Sequence, residues 1–252
     1  MAKAEQFFLY GINTVLQLLE TAPQRVLVLY LDPRRQDKRS QRIDELARQH
    51  GISIQPADTP LFQKRLGEVN HQGVMVQVRP VAAGVESDLY ILLDGLPHPP
   101  LLLCLDEVTD PHNLGACLRS ADAAGVDAVV VPKDNAASLT PTVSKVARGA
   151  AEVVPFFQVT NLARCLRELK TRGIWCIGLS GAAGQSLYQT DLTGPLALVL
   201  GAEGKGLRRL TADTCDSLAS LPMRGTVSSL NVSVTTGIAL YEALRQRQGQ
   251  VL

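Results

Sequence analysis

The stretch LLLCLDEVTDPHNLGACLRSADAAG, residues 101–125, carries the pattern from which the fold class is inferred. Its five leading apolar residues predict a buried strand, and a polar loop follows them. Pro111 excludes helical geometry at Asp110, and Asn113 is then a candidate N-cap for a helix. The apolar positions of that helix recur at helical spacing, at Leu114, Cys117, Leu118 and Ala121. A buried strand followed by a helix is typical of α/β proteins.

The same alternation continues through residues 101–252. The predicted strands are 101–105, 128–131, 152–156, 174–179, 196–200 and 217–221. The predicted helices are 113–124, 141–149, 160–171, 206–213 and about 231–247. Continuous apolar strands separated by helices predict a mostly parallel sheet with both faces covered. Because ligands bind at the carboxyl ends of the strands in such sheets, we expect a site in the loops after residues 105, 200 and 221.

Residues 1–79 predict a smaller α/β domain. Its helices are expected over 14–20, with Asn13 as the cap and Pro23 as the stop, and over 37–50, closed by Gly51. Its strands are expected at 25–31, 52–55 and 74–78. From Arg34 to Arg48 there are six basic and three acidic residues. This segment is interpreted either as a solvated helix face or as a patch that contacts phosphates.

Residues 80–100 separate the two parts and are predicted to be a linker. They contain a high density of helix and strand breakers, namely Pro80, Gly84, Gly95, Pro97, Pro99 and Pro100. A short helix or strand is expected at 88–94. The chain is therefore divided into a domain over 1–79, a linker over 80–100 and a domain over 101–252.

Composition excludes several classes of protein. Twenty-five basic and 24 acidic side chains leave a formal charge of +1, which argues against a polybasic binder. No apolar run approaches the roughly 18 residues of a membrane span, and the first 13 residues lack the apolar stretch of a signal peptide. The five cysteines contain no CxxC pair and the four histidines are dispersed. These features predict reduced thiols, no metal site, no membrane contact and a cytoplasmic location.

Two further loops have an unusual chemical composition. In LALVLGAEGKGL, residues 196–207, a strand runs into three glycines around Glu203 and Lys205, with neither Walker nor GxGxxG spacing. This loop suits a neutral or cationic ligand better than a phosphate. In LPMRGTVSSLNVSVTTGIALYE, residues 221–242, four hydroxyl residues and Asn231 crowd at a helix start. A capping box needs one or two such groups, so the others are expected to face a ligand.

Together, the three quoted motifs resemble those of the SpoU (TrmH-like) branch of the SPOUT RNA methyltransferases in type, order and spacing. The segments YGINTVLQLLE at 10–20 and HQGV at 71–74 resemble the substrate RNA-binding domain, of the ribosomal-protein L30e type, of bacterial 23S rRNA guanosine-2'-O-methyltransferases. The resemblance implies an α/β fold: a C-terminal SPOUT domain with a parallel sheet and a trefoil knot, after a small N-terminal L30e-like domain. It also implies a homodimer whose active site is completed at the subunit interface.

The resemblance further implies the cofactor and the site. S-adenosylmethionine is expected as methyl donor, in contact with Leu200, Gly201, Leu221, Met223 and Leu230. The polar residues expected in catalysis are Asn113, Arg119, Glu203, Ser229 and Asn231. Without the resemblance, Arg119 is read as an ordinary surface arginine. The resemblance implies that Arg119 activates the ribose hydroxyl, either as a base or as a group that orients the hydroxyl, stabilises its alkoxide and contacts phosphate. Because a guanidinium stays protonated in proteins, the second role is physically easier.

The implied activity is 2'-O-methylation of a guanosine in the peptidyl-transferase loop of 23S rRNA, either free or in a large-subunit assembly intermediate. Methylation of another rRNA site or of tRNA is an alternative, although the tRNA enzymes generally lack a separate domain of this size. A second alternative is a non-catalytic RNA-binding assembly factor. The presence of all the polar residues expected in catalysis argues against this alternative. A dehydrogenase is discounted because GxGxxG is absent.

Overall fold

A computed structural model of the chain describes residues 7–79 and 82–248. The predictions made for the first six residues, and the predicted breaker Pro80, lie outside the described residues. The strands are β1 (Phe7–Tyr10), β2 (Val26–Leu31), β3 (Ser53–Pro56), β4 (Val74–Val78), β5 (Leu101–Asp106), β6 (Ala128–Pro132), β7 (Phe156–Val159), β8 (Trp175–Leu179), β9 (Gln185–Ser186), β10 (Leu196–Gly201) and β11 (Ser217–Ser220). The helices are α1 (Ile12–Thr21), α2 (Lys38–Gln49), α3 (Thr59–Leu66), α4 (Glu86–Asp94), α5 (Pro111–Ala123), α6 (Pro141–Ala147), α7 (Ala150–Val153), α8 (Leu162–Thr171), α9 (Arg209–Thr214) and α10 (Val232–Gln248).

These elements form two units. The first contains the described residues up to Ala82 together with Leu139–Val153, and the second contains Ala83–Ser138 and the described residues from Val154 onward. Helix α4 lies inside the predicted linker, and its Leu89 is buried in the core of the second unit. The predicted domain boundaries are sequence segments, whereas these units are defined by contacts, and the boundaries stay a prediction.

The first unit is built on a four-stranded sheet of order β1-β4-β2-β3. Strand β4 runs antiparallel to β1 and β2, and β3 runs parallel to β2. Helices α1 and α2 bury one apolar face each, because their apolar residues recur at helical spacing. The core that they form with the sheet includes Val15, Leu18, Leu19, Leu29, Ile43, Ala47 and Val76.

The helix starts in this unit correct one prediction and support another. The predicted cap Asn13 is wrong, since α1 begins at Ile12, whose N–H donates to Gln72 Oε1 at 3.0 Å. A residue 60 positions away supplies the cap, which local sequence does not reveal. Helix α2 begins after Asp37, whose carboxylate accepts from the N–H groups of Arg39 and Ser40. Strand β1 and helix α3 are further elements that the sequence pattern did not indicate.

The basic segment around α2 is largely paired with carboxylates. Ion pairs join Arg34 to Asp32 at 2.7 Å, Arg35 to Asp37 at 2.5 Å, Arg42 to Glu45 at 3.7 Å and Arg48 to Asp44 at 2.6 Å. Nearby carboxylates therefore neutralise the positive charge of four of the six basic side chains between positions 34 and 48. This pairing favours the interpretation as a solvated helix face.

The second unit is built on a seven-stranded sheet of order β7-β6-β5-β10-β8-β11-β9. All the neighbouring strands run parallel, as predicted. Every residue of β5 and β6 is buried, because helices cover both faces of the sheet. Strand β10 lies between β5 and β8 although it follows both of them in the chain. The trefoil knot implied by the resemblance stays a prediction.

Three boundary predictions in the later part of the chain are wrong. The predicted strand 152–156 is displaced, because residues 150–153 form α7 and β7 begins at Phe156. A short apolar run does not by itself distinguish a buried strand from a buried helix. Asp110, and not Asn113, caps α5: its carboxylate accepts from His112 N–H at 3.0 Å, and Pro111 occupies the first helical position. Helix α9 begins at Arg209, later than predicted.

Candidate active site

The loops that follow β5, β10 and β11 meet at the carboxyl edge of the sheet in the second unit. Strands β5 and β10 are adjacent and in parallel register, with Asp106 beside Gly201 at their ends. Strand β11, which ends at Ser220, lies two positions from β10 in the strand order of the sheet. The topology therefore places the three quoted motifs at one edge, where ligands bind in parallel α/β sheets.

A cluster of three polar side chains, one from each motif, lies at this edge. Asn231 Nδ2 donates to Asn113 Oδ1 at 3.0 Å and to Glu203 Oε2 at 3.1 Å. Asn113 Nδ2 donates to the same Glu203 oxygen at 3.3 Å. We call these three residues the polar cluster. Because Asp110 caps α5, the side chain of Asn113 is free to take part in it.

The orientation of Asn231 is fixed from the side opposite to Glu203. Its Oδ1 accepts from the backbone N–H of Ser233 at 2.9 Å and from Ser233 Oγ at 2.6 Å, at the first turn of α10. An amide whose oxygen is held by two donors must present its nitrogen to acceptors elsewhere. The Glu203 carboxylate is one of these acceptors.

A cavity of about 570 Å³ adjoins the polar cluster. The glycine loop, which we define as residues 201–207, supplies one wall, and the segments after β8 and β11 supply the others. The cavity is lined by all five residues predicted to contact the cofactor, namely Leu200, Gly201, Leu221, Met223 and Leu230. Two residues predicted to act in catalysis, Glu203 and Ser229, line it as well. Ser228, a second hydroxyl residue of the third motif, also lines it.

Gly201 allows the glycine loop to fold back on itself. A Cβ at this position would lie 2.0 Å from the carbonyl carbon of Gly206. Such an approach is possible only without a side chain. The loop is closed by a hydrogen bond from Gly206 N–H to Ala202 O at 2.9 Å, and Gly206 has a φ of 68°. The glycines thus serve loop closure, and they leave backbone exposed to the cavity.

A second cavity of about 470 Å³ is lined in part by the glycine loop. Asn113, Asp110 and Asn135 are among its lining residues. The two cavities share four residues: Ala202, Glu203, Lys205 and Val232. Glu203 therefore stands between two chambers, an arrangement suited to a reaction between two bound molecules.

The structure does not bring Arg119 into the polar cluster. Its side chain is exposed and, among the described residues, makes no hydrogen bond or ion pair. Arg119 follows Asn113 by six positions in α5, which places it about 120° from Asn113 around the helix axis. Ser229 lines the first cavity but has no hydrogen bond to the polar cluster.

One pair of functional candidates was missed in the sequence. Asp106 is fully buried, and its carboxylate accepts from Arg208 Nε at 2.8 Å and from Arg208 N–H at 3.0 Å. The hydrogen bond to Asp106 raises the pKa of Arg208. The available signal was a charged residue at the end of an otherwise apolar strand, but nothing in the sequence indicated a partner 102 positions away.

The described residues contain neither a cluster of metal-ligating side chains nor a membrane-spanning helix. Within 7–79 and 82–248, no group of three or more histidine, cysteine, aspartate or glutamate side chains could hold a metal ion. In the same part of the chain, no helix has the length and the apolar character required to cross a membrane.

Comparison with known proteins identifies the family. Residues 100–241 match the model of the SpoU rRNA Methylase family, and residues 8–83 match the model described as RNA 2'-O ribose methyltransferase substrate binding. The chain belongs to the SpoU rRNA methylase family. The polar cluster and the residues that line both cavities lie within the matched methylase segment. The four-stranded sheet, apart from Phe7, lies within the matched substrate-binding segment.

Individual SpoU relatives align along nearly the full chain. The 23S rRNA (guanosine-2'-O-)-methyltransferase RlmB of Shewanella oneidensis is 52% identical over 97% of this chain and 99% of its own length. RlmB of Pasteurella multocida is 55% identical over 95% of this chain and 98% of its own length. The crystal structure of the SpoU methyltransferase AviRb from Streptomyces viridochromogenes, in complex with AdoMet, superposes with a TM-score of 0.81 at 26% identity, over 98% of this chain and 92% of that one.

Proposed function

We propose that this chain transfers a methyl group from S-adenosylmethionine to the ribose 2'-hydroxyl of a guanosine in the peptidyl-transferase loop of 23S rRNA. The observation that carries the proposal is that Glu203 of the polar cluster lines both cavities, of which we assign the first to the methyl donor and the second to the nucleotide. The RlmB relatives, about half identical over nearly the whole chain, support the same reaction and substrate.

The first cavity fits S-adenosylmethionine. Its volume of about 570 Å³ lies in the range of small-molecule sites. The glycine loop leaves backbone groups open to an adenosine, Leu221 and Leu230 offer apolar contact, and Ser228 and Ser229 offer hydroxyls. The related AviRb structure contains AdoMet. The chemistry that this molecule supplies when bound is an electrophilic methyl group.

The polar cluster positions the reacting groups. Methyl transfer needs an aligned nucleophile, and alignment alone lowers a barrier substantially. Asn113 and Asn231 hold the Glu203 carboxylate between the cavities, so that it can accept a hydrogen bond from a ribose hydroxyl in the second cavity. Arg119 stays protonated, contacts the target nucleotide and stabilises the negative charge that develops on its 2'-oxygen.

Arg119 acts in the site of a second subunit. The protein would then be a homodimer with shared active sites. Two observations on the residues around α5 and α10 of one chain support this. The exposed guanidinium of Arg119 has no partner among the described residues, and Arg119 lies about 120° from Asn113 around the axis of α5. Helix α10, which packs on α5, exposes Val234 and Tyr241 seven residues apart, 48% and 53% accessible. Residues seven apart lie on one helix face, and an exposed apolar face beside a functional residue suits a subunit interface.

The N-terminal segment selects the substrate. The match of residues 8–83 to a substrate-binding model supports an RNA-binding role for the predicted domain over 1–79. This segment also argues against the tRNA alternative. The substrate is 23S rRNA, free or in a large-subunit assembly intermediate, and the chain acts in the bacterial cytoplasm. Four of the five cysteines are buried free thiols, which suits a reducing compartment.

The function is tested by transfer of a labelled methyl group from S-adenosylmethionine. Unmodified 23S rRNA fragments and unmodified tRNA are offered separately. We expect label on a guanosine ribose of the peptidyl-transferase loop and none on tRNA. Label on tRNA alone would contradict the substrate. If neither RNA is labelled, 50S precursor particles from cells that lack the enzyme are offered, and no label there contradicts the activity.

The homodimer is tested by solution mass and by complementation. We expect the mass of a dimer by light scattering. Arg119→Ala and Glu203→Gln chains, each inactive alone, are then co-expressed. If each site combines residues of both subunits, a mixed dimer has one intact site, so activity should reach roughly a quarter of wild type when half the dimers are mixed. A monomer, or an inactive mixture in which mixed dimers are present, would contradict the shared site.

A further inference from the structure

Asp106, which is buried, forms an ion pair with Arg208, whose side chain is 43% exposed, and the proposed reaction does not use this pair directly. The Asp106 side chain has no exposed surface. Its Oδ1 accepts from Arg208 Nε at 2.8 Å and lies 2.6 Å from Nη2, and its Oδ2 accepts from the backbone N–H of Arg208 at 3.0 Å. Removing a carboxylate from water costs several kcal/mol unless a well-aligned partner offsets it.

Both ends of the glycine loop are held at Asp106, the first by strand pairing and the second by the ion pair. At the first end, Gly201 lies beside Asp106 in the register of β10 with β5. At the second end, Arg208 immediately follows the loop and is held by the Asp106 side chain in three contacts. Because both ends are held at Asp106, the loop between them is constrained to a closed form with Glu203 inside it.

The same arginine also reaches the loop that leads to Asn113. Arg208 Nη1 lies 3.4 Å from Glu107 Oε1. Glu107 has a φ of 58°, in the left-handed region that non-glycine residues seldom occupy, so the chain turns sharply after β5. Arg208 thus connects the loops of the first and second motifs, which supply Asn113 and Glu203 to the polar cluster.

We propose that Asp106 and Arg208 are positioning residues that hold the glycine loop in the conformation that binds S-adenosylmethionine. The proposal rests on the assignment of the first cavity to that molecule. Six residues of the loop line this cavity, and backbone displacement within the loop changes the shape of the site. Neither Asp106 nor Arg208 lines it themselves. Loss of the pair therefore weakens binding through the loop and not through a lost contact.

The test is the dissociation constant for S-adenosylmethionine, measured by calorimetry on the full chain without RNA. The variants are Arg208→Ala, Arg208→Lys and Asp106→Asn. Arg209→Ala is the matched control, since Arg209 is the next residue, 96% exposed, and its pair with Asp213 at 3.7 Å lies on the surface. We expect the constant to rise about tenfold or more in Arg208→Ala and Asp106→Asn, to rise less in Arg208→Lys, and to change less than about twofold in the control.

Thermal unfolding of the unliganded variants separates positioning from plain stabilisation. A constant within about twofold of wild type in a folded Arg208→Ala protein, whatever its melting temperature, would overturn the proposal, because a stabilising pair alone does not alter affinity in the folded protein. If Arg208→Ala fails to fold, Asp106→Asn, which conserves side-chain volume, decides by the same criterion. A wild-type chain that does not bind S-adenosylmethionine would instead overturn the cofactor assignment, and this proposal with it.

Discussion

Asn231 donates a hydrogen bond to Glu203 across 3.1 Å, although 28 residues separate the two in the chain. The same amide caps α10 through its oxygen, at 2.9 Å from Ser233 N–H. Helix capping and site geometry are therefore coupled in one side chain. A helix end that carries a functional residue in this way cannot fray without displacing Glu203.

Replacement of Asn231 by alanine should lower activity far more than stability. Loss of the cap costs about 1 kcal/mol of the free energy of unfolding. Loss of the hydrogen bonds to Glu203 and Asn113 releases the carboxylate, and methyl transfer should fall by about tenfold or more. The matched control is Asn161→Ala, which removes the cap of α8, a hydrogen bond to Arg164 N–H at 3.0 Å, away from the site. Equal loss of activity in both variants would contradict the role of the polar cluster.

Gly201→Ala should weaken the binding of S-adenosylmethionine. The added Cβ would lie 2.0 Å from a backbone carbon of Gly206, so the glycine loop must move. Overpacking of this kind typically costs about 1–3 kcal/mol. Where this cost falls on the conformation of the loop that binds the cofactor, the dissociation constant rises by about fivefold to a hundredfold. The measurement is calorimetric titration. Gly184→Ala is the control, because nothing lies within 4 Å of a Cβ there. Unchanged affinity in Gly201→Ala would show that the loop is not part of the binding site.

Much of this arrangement could be predicted from sequence. The strands at 101–106, 128–132 and 196–201 were each placed to within one residue, because parallel sheets covered on both faces require continuous apolar runs. The resemblance placed five residues on a cavity that the structure contains. Pairings between distant polar groups were not predictable, because hydrogen-bond geometry leaves no periodic signature. The pairs Gln72–Ile12 and Asp106–Arg208 are of this kind.

Arg119→Ala should remove most methyl transfer while leaving S-adenosylmethionine affinity within about twofold of wild type. Removal of one group that stabilises a developing oxyanion typically costs about 10²–10³ in rate. Arg119 lies outside the lining of the first cavity, so donor binding should not change. Single-turnover methylation and calorimetry measure the two effects. Arg167→Ala is the control, an exposed helical arginine in α8. Normal turnover in Arg119→Ala would remove this residue from the mechanism.

The stability of the fold should fall at alkaline pH through a buried thiol. Burial raises the pKa of Cys117 to about 11 from the ordinary 9.0, and its Sγ lies 3.3 Å from Thr236 Oγ1 between α5 and α10. The folded protein thus favours the protonated thiol. The contribution of this thiol to the free energy of unfolding is complete below pH 9 and is lost as the pH rises towards 11. The loss between pH 8 and pH 10.5 is about 2 kcal/mol.

Urea unfolding of wild type and Cys117→Ala across that range measures this contribution. The wild-type free energy of unfolding should decline more steeply than that of the variant, which lacks the titrating group. The comparison removes the contributions of lysines and tyrosines, since both proteins share them. Parallel curves would contradict the assignment.

The placement of β10 between β5 and β8 has a consequence for how the enzyme is synthesised. Strands β5, β6 and β7 can pair as they leave the ribosome, but β8 has no neighbour on the β5 side until residues 196–201 emerge. Helix α10 then holds the segments that lead into β5 and β10, because Arg247 donates to the carbonyl oxygens of Pro100 and Gly194 at 2.9 and 2.6 Å. The seven-stranded sheet therefore stays incomplete until β10 and α10 have both been synthesised, long after β5 has left the ribosome.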